Sequence, residues 1–532
     1  MKADLIFRNG QVLTVDNQFT VCEALAVGGN KILGSGSNVE IDQLKGPETK
    51  VIDLRGRSLL PGFIDAHAHL ELYGTNKLGV NCKDGIESIT DIQENLKKAA
   101  ENTSEGEWIR GWGYNQNALK EGRHPTRQDL DQVSIEHPII IVRTCGHIST
   151  VNSKALEMAG IEEGSPDPIG GKIIRENDVP NGVLLEAAHM NMFIRAQYSE
   201  QDVMEGLRLA SEDFIRKGVT SVHDAGGYGN PHFRHLARAV QDGYLKVRVN
   251  TLVGSLHDSP GTLDKALEAG MLSGMGNDRF RIGPAKVFID GSSSGPTAKT
   301  RDPYTSNPND TGILYLSQEK LNDILGKANR FGWQLTAHAI GDRGVEMMIN
   351  CIENALEEYP KDDHRHRIEH SGITPPDLVR REKELNIVPV PNPAFIYEFG
   401  DGYLKDYGER VKWMFPARSF LAAGMKPAMG SDSPITTYDP MIGIQAAVTR
   451  LSKTGQEIGS EQKISVEEAI RLYTINGAYV SFEEKLKGSL EEGKVADLTV
   501  LDSSILDTAA DEICQINVDM TVIDGEIVFE RR

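Results

Sequence analysis

The sequence predicts an α/β protein: a (β/α)8 TIM-like barrel, a small β-sandwich built from both chain termini, and a large insertion after barrel strand 1. Three observations carry that expectation. Apolar strand-like runs alternate with helical segments through the middle of the chain, and eight such units can be counted. Both ends of the chain read instead as short strands around turns. A long stretch between the first two barrel strands fits neither pattern.

Composition bounds the class. With 532 residues, 39% hydrophobic and 25% charged, the chain reads as globular and too long for one ordinary domain. Its formal net charge of −20, from 57 basic and 77 acidic residues, argues against nucleic acid or an anionic membrane as partner. Five cysteines, Cys22, Cys82, Cys145, Cys351 and Cys514, are scattered without a CxxC spacing, which predicts free thiols in a reducing compartment. The N-terminal residues carry an early acid and no long apolar run, so neither a signal peptide nor a membrane span is expected, and the cytoplasm is the expected location. A small-molecule substrate is the expected partner, with a homodimer as the base-rate assembly.

Taken in order, residues 1–58 read as the N-terminal part of the sandwich. Strand-like runs at 5–7 and 12–15 flank Asn9-Gly10, a hairpin turn signal, and runs at 24–27 and 31–33 flank Gly28-Gly29-Asn30. Residues 485–532 supply the C-terminal part, with a strand at 496–501 and two more around Asp524-Gly525. Residues 59–484 make the barrel. Its strands are expected at the stretch ending in His67-Ala68-His69, then at 219–224, 247–253, 285–290, 333–338, 366–370, 387–391 and 426–431. Ser199 with Asp202, Ser317, and Ser465 with Glu468 mark helix starts between or after them. The count requires 71–218 to be an insertion, a lid or pocket wall over the C-terminal strand ends where such barrels carry their reactive groups. It contains a helix near 88–103, an aromatic run Trp108 to Tyr114, and a strand at 139–143.

Chemistry-bearing residues fall at the strand ends. His67 and His69 are two apart on a strand, so both imidazoles project from one face and can reach one point. Imidazole suits zinc and other transition metals. His338, His370 and Asp432 end or follow other predicted strands, Lys286 lies within the one at 285–290, and Asp290 follows the lysine strand. Singly, each has a packing or capping explanation; together they converge if the barrel closes. Glu369, adjacent to His370, is expected to face the helix layer by parity and to make an ion pair there. Asp342 reads as support for a ligand imidazole or as a helix cap. Asp290 reads as a substrate contact or a turn residue. In the insertion, His147 and Trp112 are candidates for substrate contact, against a structural histidine and aromatic core packing.

The chain resembles the amidohydrolase superfamily of metal-dependent hydrolases, in the branch that includes N-substituted formamide deformylase. The matching stretches are Leu60-Pro61-Gly62-Phe63-Ile64-Asp65-Ala66-His67-Ala68-His69, Gly218-Val219-Thr220-Ser221-Val222 and Lys286-Val287-Phe288-Ile289-Asp290-Gly291-Ser292. They continue with His338-Ala339-Ile340-Gly341-Asp342-Arg343, Arg365-His366-Arg367-Ile368-Glu369-His370, Gly430-Ser431-Asp432-Ser433-Pro434 and Gly493-Lys494-Val495-Ala496-Asp497-Leu498. The resemblance implies that His67, His69 and Asp432 bind one metal and that His338 and His370 bind a second. It puts Lys286 where many members carry a carboxylated lysine bridging the ions. Two zinc ions are then expected, with one ion, or manganese, iron or nickel, as alternatives. Asp432 would act as general base and then general acid in hydrolysis of an amide C–N bond. The alternatives are a mononuclear deaminase of the same superfamily and an inactive scaffold that kept the fold.

Overall fold

The structure is a computed structural model and describes residues 2–227 and 229–531. Its centre is a parallel sheet whose strands lie side by side in chain order: Phe63–Ala68, Val219–Asp224, Arg248–Val253, Phe280–Phe288, Leu335–Ala339, Arg367–His370 and Val388–Val390. Their residues are buried almost throughout, as parallel strands covered on both faces require. Two apolar belts pack the helices onto this sheet. One runs through Leu207, Phe214 and Leu236, the other through Leu325, Trp333 and Ile352.

The eighth strand expected over 426–431 forms no regular ladder. Pro427 has no N–H to give, and the chain turns sharply into Asp432, whose φ is +57°. The segment still closes the ring. Ala428 N–H donates to the Pro389 carbonyl at 3.2 Å, and Ala66 N–H donates to the Met429 carbonyl at 3.0 Å. Asp65, on the first strand, accepts from the Ser431 amide at 2.9 Å and from its hydroxyl at 2.5 Å. The barrel is therefore sealed by individual hydrogen bonds where the first and last segments meet.

Two further sheets stack at the chain ends. One is four-stranded, in the order Lys31–Gly36, Ala24–Gly28, Leu5–Arg8, Lys50–Asp53. The other is six-stranded and draws on both termini: Glu526–Glu530, Val518–Ile523, Leu498–Leu501, Ser58–Pro61, Gln11–Leu13 and Val21–Cys22. Phe7, Val12, Leu25, Leu59, Leu498 and Val522 form their shared core. The strands flanking Gly28-Gly29-Asn30 and Asp524-Gly525 pair as antiparallel hairpins. The hairpin expected at Asn9-Gly10 does not form. Leu5–Arg8 pairs within the four-stranded sheet and Gln11–Leu13 within the other, so this turn carries the chain from sheet to sheet.

The ladder of the six-stranded sheet also runs past residue 58. Leu59 pairs with both Val12 and Val500, and the switch into the barrel falls at Gly62. A Cβ there would sit 2.2 Å from Thr220 Oγ1, so the close crossing needs glycine.

The insertion has a six-stranded sheet of its own, of which the sequence reading resolved mainly Ile139–Arg143. The other strands are Val80–Asn81, Ile109–Tyr114, Ile148–Val151, Gly171–Glu176 and Val179–Glu186. Helix Ile89–Ala100 packs on it beneath a Ser88 cap, and Ser199, Ser317 and Ser465 cap their helices. No helix among the described residues is long and apolar enough to cross a membrane.

Candidate metal centre

His67, His69, Lys286, His338, His370 and Asp432 meet at the C-terminal ends of the barrel strands. The ring centroids of His67 and His370 are 4.7 Å apart, those of His338 and His370 4.6 Å, and those of His67 and His69 5.5 Å. Asp432 Oδ1 lies 3.3 Å from Nε2 of both His67 and His69. One donor atom each from His67, His370 and Asp432 falls within a 4.8 Å span. Lys286 Nζ is 3.4 Å from His67 Nε2, and its side chain is fully buried. Gly430 makes the approach possible, because a Cβ on it would stand 2.5 Å from the His67 backbone.

Each imidazole has one nitrogen fixed by the surrounding protein. His67 Nδ1 meets Glu369 Oε2 at 2.5 Å, and His69 Nδ1 donates to the Gly226 carbonyl at 2.6 Å. His370 Nδ1 donates to Asn392 Oδ1 at 2.7 Å, while Asn392 donates in turn to the Gly430 carbonyl at 2.8 Å. His338 Nε2 donates to the Gly291 carbonyl at 3.0 Å. Such bonds set the tautomer and leave the other nitrogen as a metal donor.

The electrostatics suit a cation. Burial holds His69, His338 and His370 below the usual histidine range, His370 down to about 3, so these rings are neutral donors. Burial alone would raise Asp432, but hydrogen bonds from His67 and His69 hold it well below the ordinary carboxylate value. Burial pushes the Lys286 amine down to about 8. Neutral imidazoles with one ionised carboxylate are a set that zinc and neighbouring divalent ions favour.

Glu369 corrects the sequence reading. It faces the barrel interior, where its carboxylate holds His67, accepts from Thr336 Oγ1 at 2.6 Å and pairs with Arg367 Nη2 at 2.8 Å. The ion pair was expected, but on the opposite face. Strand parity fails because His370 adopts φ +71°, which turns two consecutive side chains inward.

His147 lies beside the centre, its ring 5.7 Å from that of His338. Its Nδ1 is 2.7 Å from Glu186 Oε2, and Glu186 also accepts from Thr297 Oγ1 at 2.6 Å and from the Tyr315 hydroxyl. Burial would lower His147, but the Glu186 charge pushes it up to about 9. A cavity of about 270 Å³ opens here, lined by His147, Glu186, Met190, Leu256, Phe288 and Tyr315 among others. Glu186 and Tyr315 were not singled out in the sequence, and nothing in their local spacing marks them. Asn392, between two prolines just after the seventh strand, carried a weak signal of a constrained turn.

Trp112 packs between the insertion's core and the apolar cluster that includes Phe395, Tyr403 and Ile435. Asp290 accepts from the amides of Ile340, Gly341 and Lys299 at 3.0, 2.7 and 2.9 Å, the turn role left open beside a substrate contact. Asp342 accepts from the Arg301 amide at 2.7 Å and opens helix Asp342–Glu358 behind Gly341, without reaching an imidazole.

Comparison with known proteins agrees with this geometry. A model of the amidohydrolase family matches residues 50–529. The chain is similar, at 31% identity over the full length of both chains, to the putative amidohydrolase YtcJ of Bacillus subtilis (strain 168). It is 29% identical to the N-substituted formamide deformylase of Arthrobacter pascens, over 99% of this chain and 98% of that one. The crystal structure of an uncharacterized metal-dependent hydrolase from Pyrococcus horikoshii OT3 superimposes with a TM-score of 0.77 at 27% identity, covering 95% of this chain and 99% of the other. The chain belongs to the amidohydrolase family (amidohydrolase family 3), within the superfamily of metal-dependent hydrolases.

Proposed function

We propose that the protein hydrolyses an amide-type C–N bond of a small organic substrate, with divalent ions held by His67, His69, Lys286, His338, His370 and Asp432. One observation supports this above the rest: four buried imidazoles, each with one nitrogen fixed, gather around the same carboxylate and lysine. In this reading His67, His69 and Asp432 hold one ion, and His338 and His370 the other. Zinc is the ion this set suits best. A lysine ammonium would repel both ions. The neutral Lys286 amine, favoured by burial, would add to CO₂ with loss of one proton and give an anionic carbamate that would help hold the ions. Bound there, the ions would polarise the substrate carbonyl as Lewis acids and lower the pKa of a water to about 7.

The chain's own groups do the rest. Asp432 takes the proton of the attacking water and delivers it to the leaving nitrogen, so the C–N bond breaks and a neutral amine departs. His147, with Nδ1 on Glu186, has Nε2 left to donate to the substrate's carbonyl oxygen as charge develops there. Met190, Leu256 and Phe288 give the cavity an apolar wall that limits water.

A mononuclear aminohydrolase is the second reading. It is favoured by the tight grouping of His67, His370 and Asp432, which His338 does not join. Against it, the acid that follows His338, Asp342, is engaged with the Arg301 amide. Metal analysis of the purified protein, with a turnover panel of N-formyl, N-acyl and cyclic amides and Asp432→Asn as blank, tests the proposal. Two ions per chain and amide cleavage are expected. One ion with release of ammonia from an amino-substituted ring supports the second reading, and a metal-free inert protein overturns both.

A further inference from the structure

Among the described residues, buried arginines are neutralised or fully bonded, with one exception. Arg248 pairs with Asp497 at 2.7 Å and with Asp524, and Arg367 pairs with Glu369. Arg450 lacks a carboxylate but donates to the carbonyls of Ile458, Met414 and Phe415 at 2.9, 2.9 and 3.4 Å. Arg143 is 2% exposed and has neither. Its Nε donates to Gln116 Oε1 at 2.7 Å, its Nη2 makes one long bond of 3.4 Å to the Ser294 carbonyl, and its Nη1 is buried without a partner. An isolated buried guanidinium is among the costliest arrangements a fold can hold, so its counter-charge comes from outside the chain.

Its place says what supplies that charge. Arg143 ends the insertion strand Ile139–Arg143, four residues before His147. It faces the Gly291-Ser292-Ser293-Ser294-Gly295 turn, which begins at the carbonyl that holds His338. Two hydroxyls of that turn, Ser292 Oγ and Ser294 Oγ, lie 3.5 Å apart, while Ser293 Oγ is engaged with the Tyr403 hydroxyl at 2.7 Å. A planar guanidinium beside paired hydroxyls is the chemistry that receives a carboxylate. We infer that Arg143, with Ser292 and Ser294, binds a carboxylate carried by the substrate, which is therefore an N-acyl compound bearing an acid group.

This rests on the amide-hydrolase reading, and the experiment separates the two. N-formyl and N-acetyl amino acids are assayed beside their methyl esters, which keep the amide and lose the charge. Wild type is expected to favour the acids by roughly 10²-fold or more in kcat/KM. Arg143→Gln should bring the acid-to-ester ratio to about one, and Arg143→Lys should restore part of it. Equal use of acids and esters by wild type, or an unchanged ratio in Arg143→Gln, overturns the inference while leaving amide hydrolysis standing. Should Arg143→Gln fail to fold, inhibition of the wild type by benzoate against benzamide carries the test: preferential inhibition by the acid supports the site, and equal inhibition overturns it. Inorganic phosphate that raises Tm without slowing acid turnover would show a free anion filling the site, which also overturns it. If no amide is cleaved, yet benzoate raises Tm in wild type and not in Arg143→Gln, the hydrolase reading falls and the carboxylate site remains.

Discussion

Buried histidines in two places joined through Asp224, which holds both the Leu70 amide beside His69 and the His232 ring, behave oppositely. At the metal centre each ring keeps one nitrogen free, and burial holds His69, His338 and His370 neutral. Just behind it, His232 is clamped at both nitrogens, with Nδ1 2.7 Å from Glu71 and Nε2 2.6 Å from Asp224. Burial would lower it too, but the two carboxylates push it up to about 10. Equal burial thus yields a ligand in one place and a fixed cation in the other. What differs is the close partner: two carboxylates hold His232 at 2.7 and 2.6 Å, whereas His69, His338 and His370 give their fixed nitrogen to a neutral carbonyl or amide oxygen.

That contrast can be broken by substitution. The largest expected effect is at the centre itself: Asp432→Asn should lower kcat by on the order of 10⁴-fold, with thermal stability near wild type. Next, His232→Leu leaves Glu71 and Asp224 facing each other without a cation, and should cost about 3–5 kcal/mol in denaturant unfolding while the folded fraction keeps its metal. His370→Leu should do the reverse, losing metal while the metal-free form unfolds near the wild-type midpoint. If both variants lost metal and stability alike, the distinction would be wrong.

The clamp also has a pH signature. His232 is raised above its unfolded value of 6.5, so its stabilisation is complete below pH 6.5 and drains as pH climbs toward 10. The gap in unfolding free energy between wild type and His232→Gln should therefore narrow over that window. Glu369→Gln comes next, and should weaken metal affinity by roughly 10–100-fold through loss of the His67 orientation. Ser465→Ala, a helix cap remote from both groups, should cost only about 1 kcal/mol and leave metal content untouched.

The site residues were easier to read in the sequence than the groups that hold them. The candidates His67, His69, His338, His370 and Asp432 stand at or just past the end of an apolar run and Lys286 inside one, a signal that survives without coordinates. Glu369 was placed on the wrong face because period-two alternation assumes an extended backbone, and His370 departs from it. Gly226 and Gly291 act through carbonyl oxygens, which no side-chain pattern reports. The same blindness explains the Asn9-Gly10 turn, whose residues fit a hairpin although the flanking strands belong to different sheets. The insertion's sheet was underread because several of its strands are short or mixed in polarity, and its buried ion pair between His147 and Glu186 joins residues 39 apart.

The strand that enters the barrel at Gly62 has a temporal consequence. Ser58–Pro61 lies between Gln11–Leu13 and Leu498–Leu501, so the stretch leading to His67 is gripped by a segment made before it and by one made much later. During synthesis that stretch waits with one edge open until Leu498–Leu501 has left the ribosome. Ribosome-bound chains halted before residue 498 should therefore leave it open to protease, and chains extended until Leu498–Leu501 clears the exit tunnel should close it.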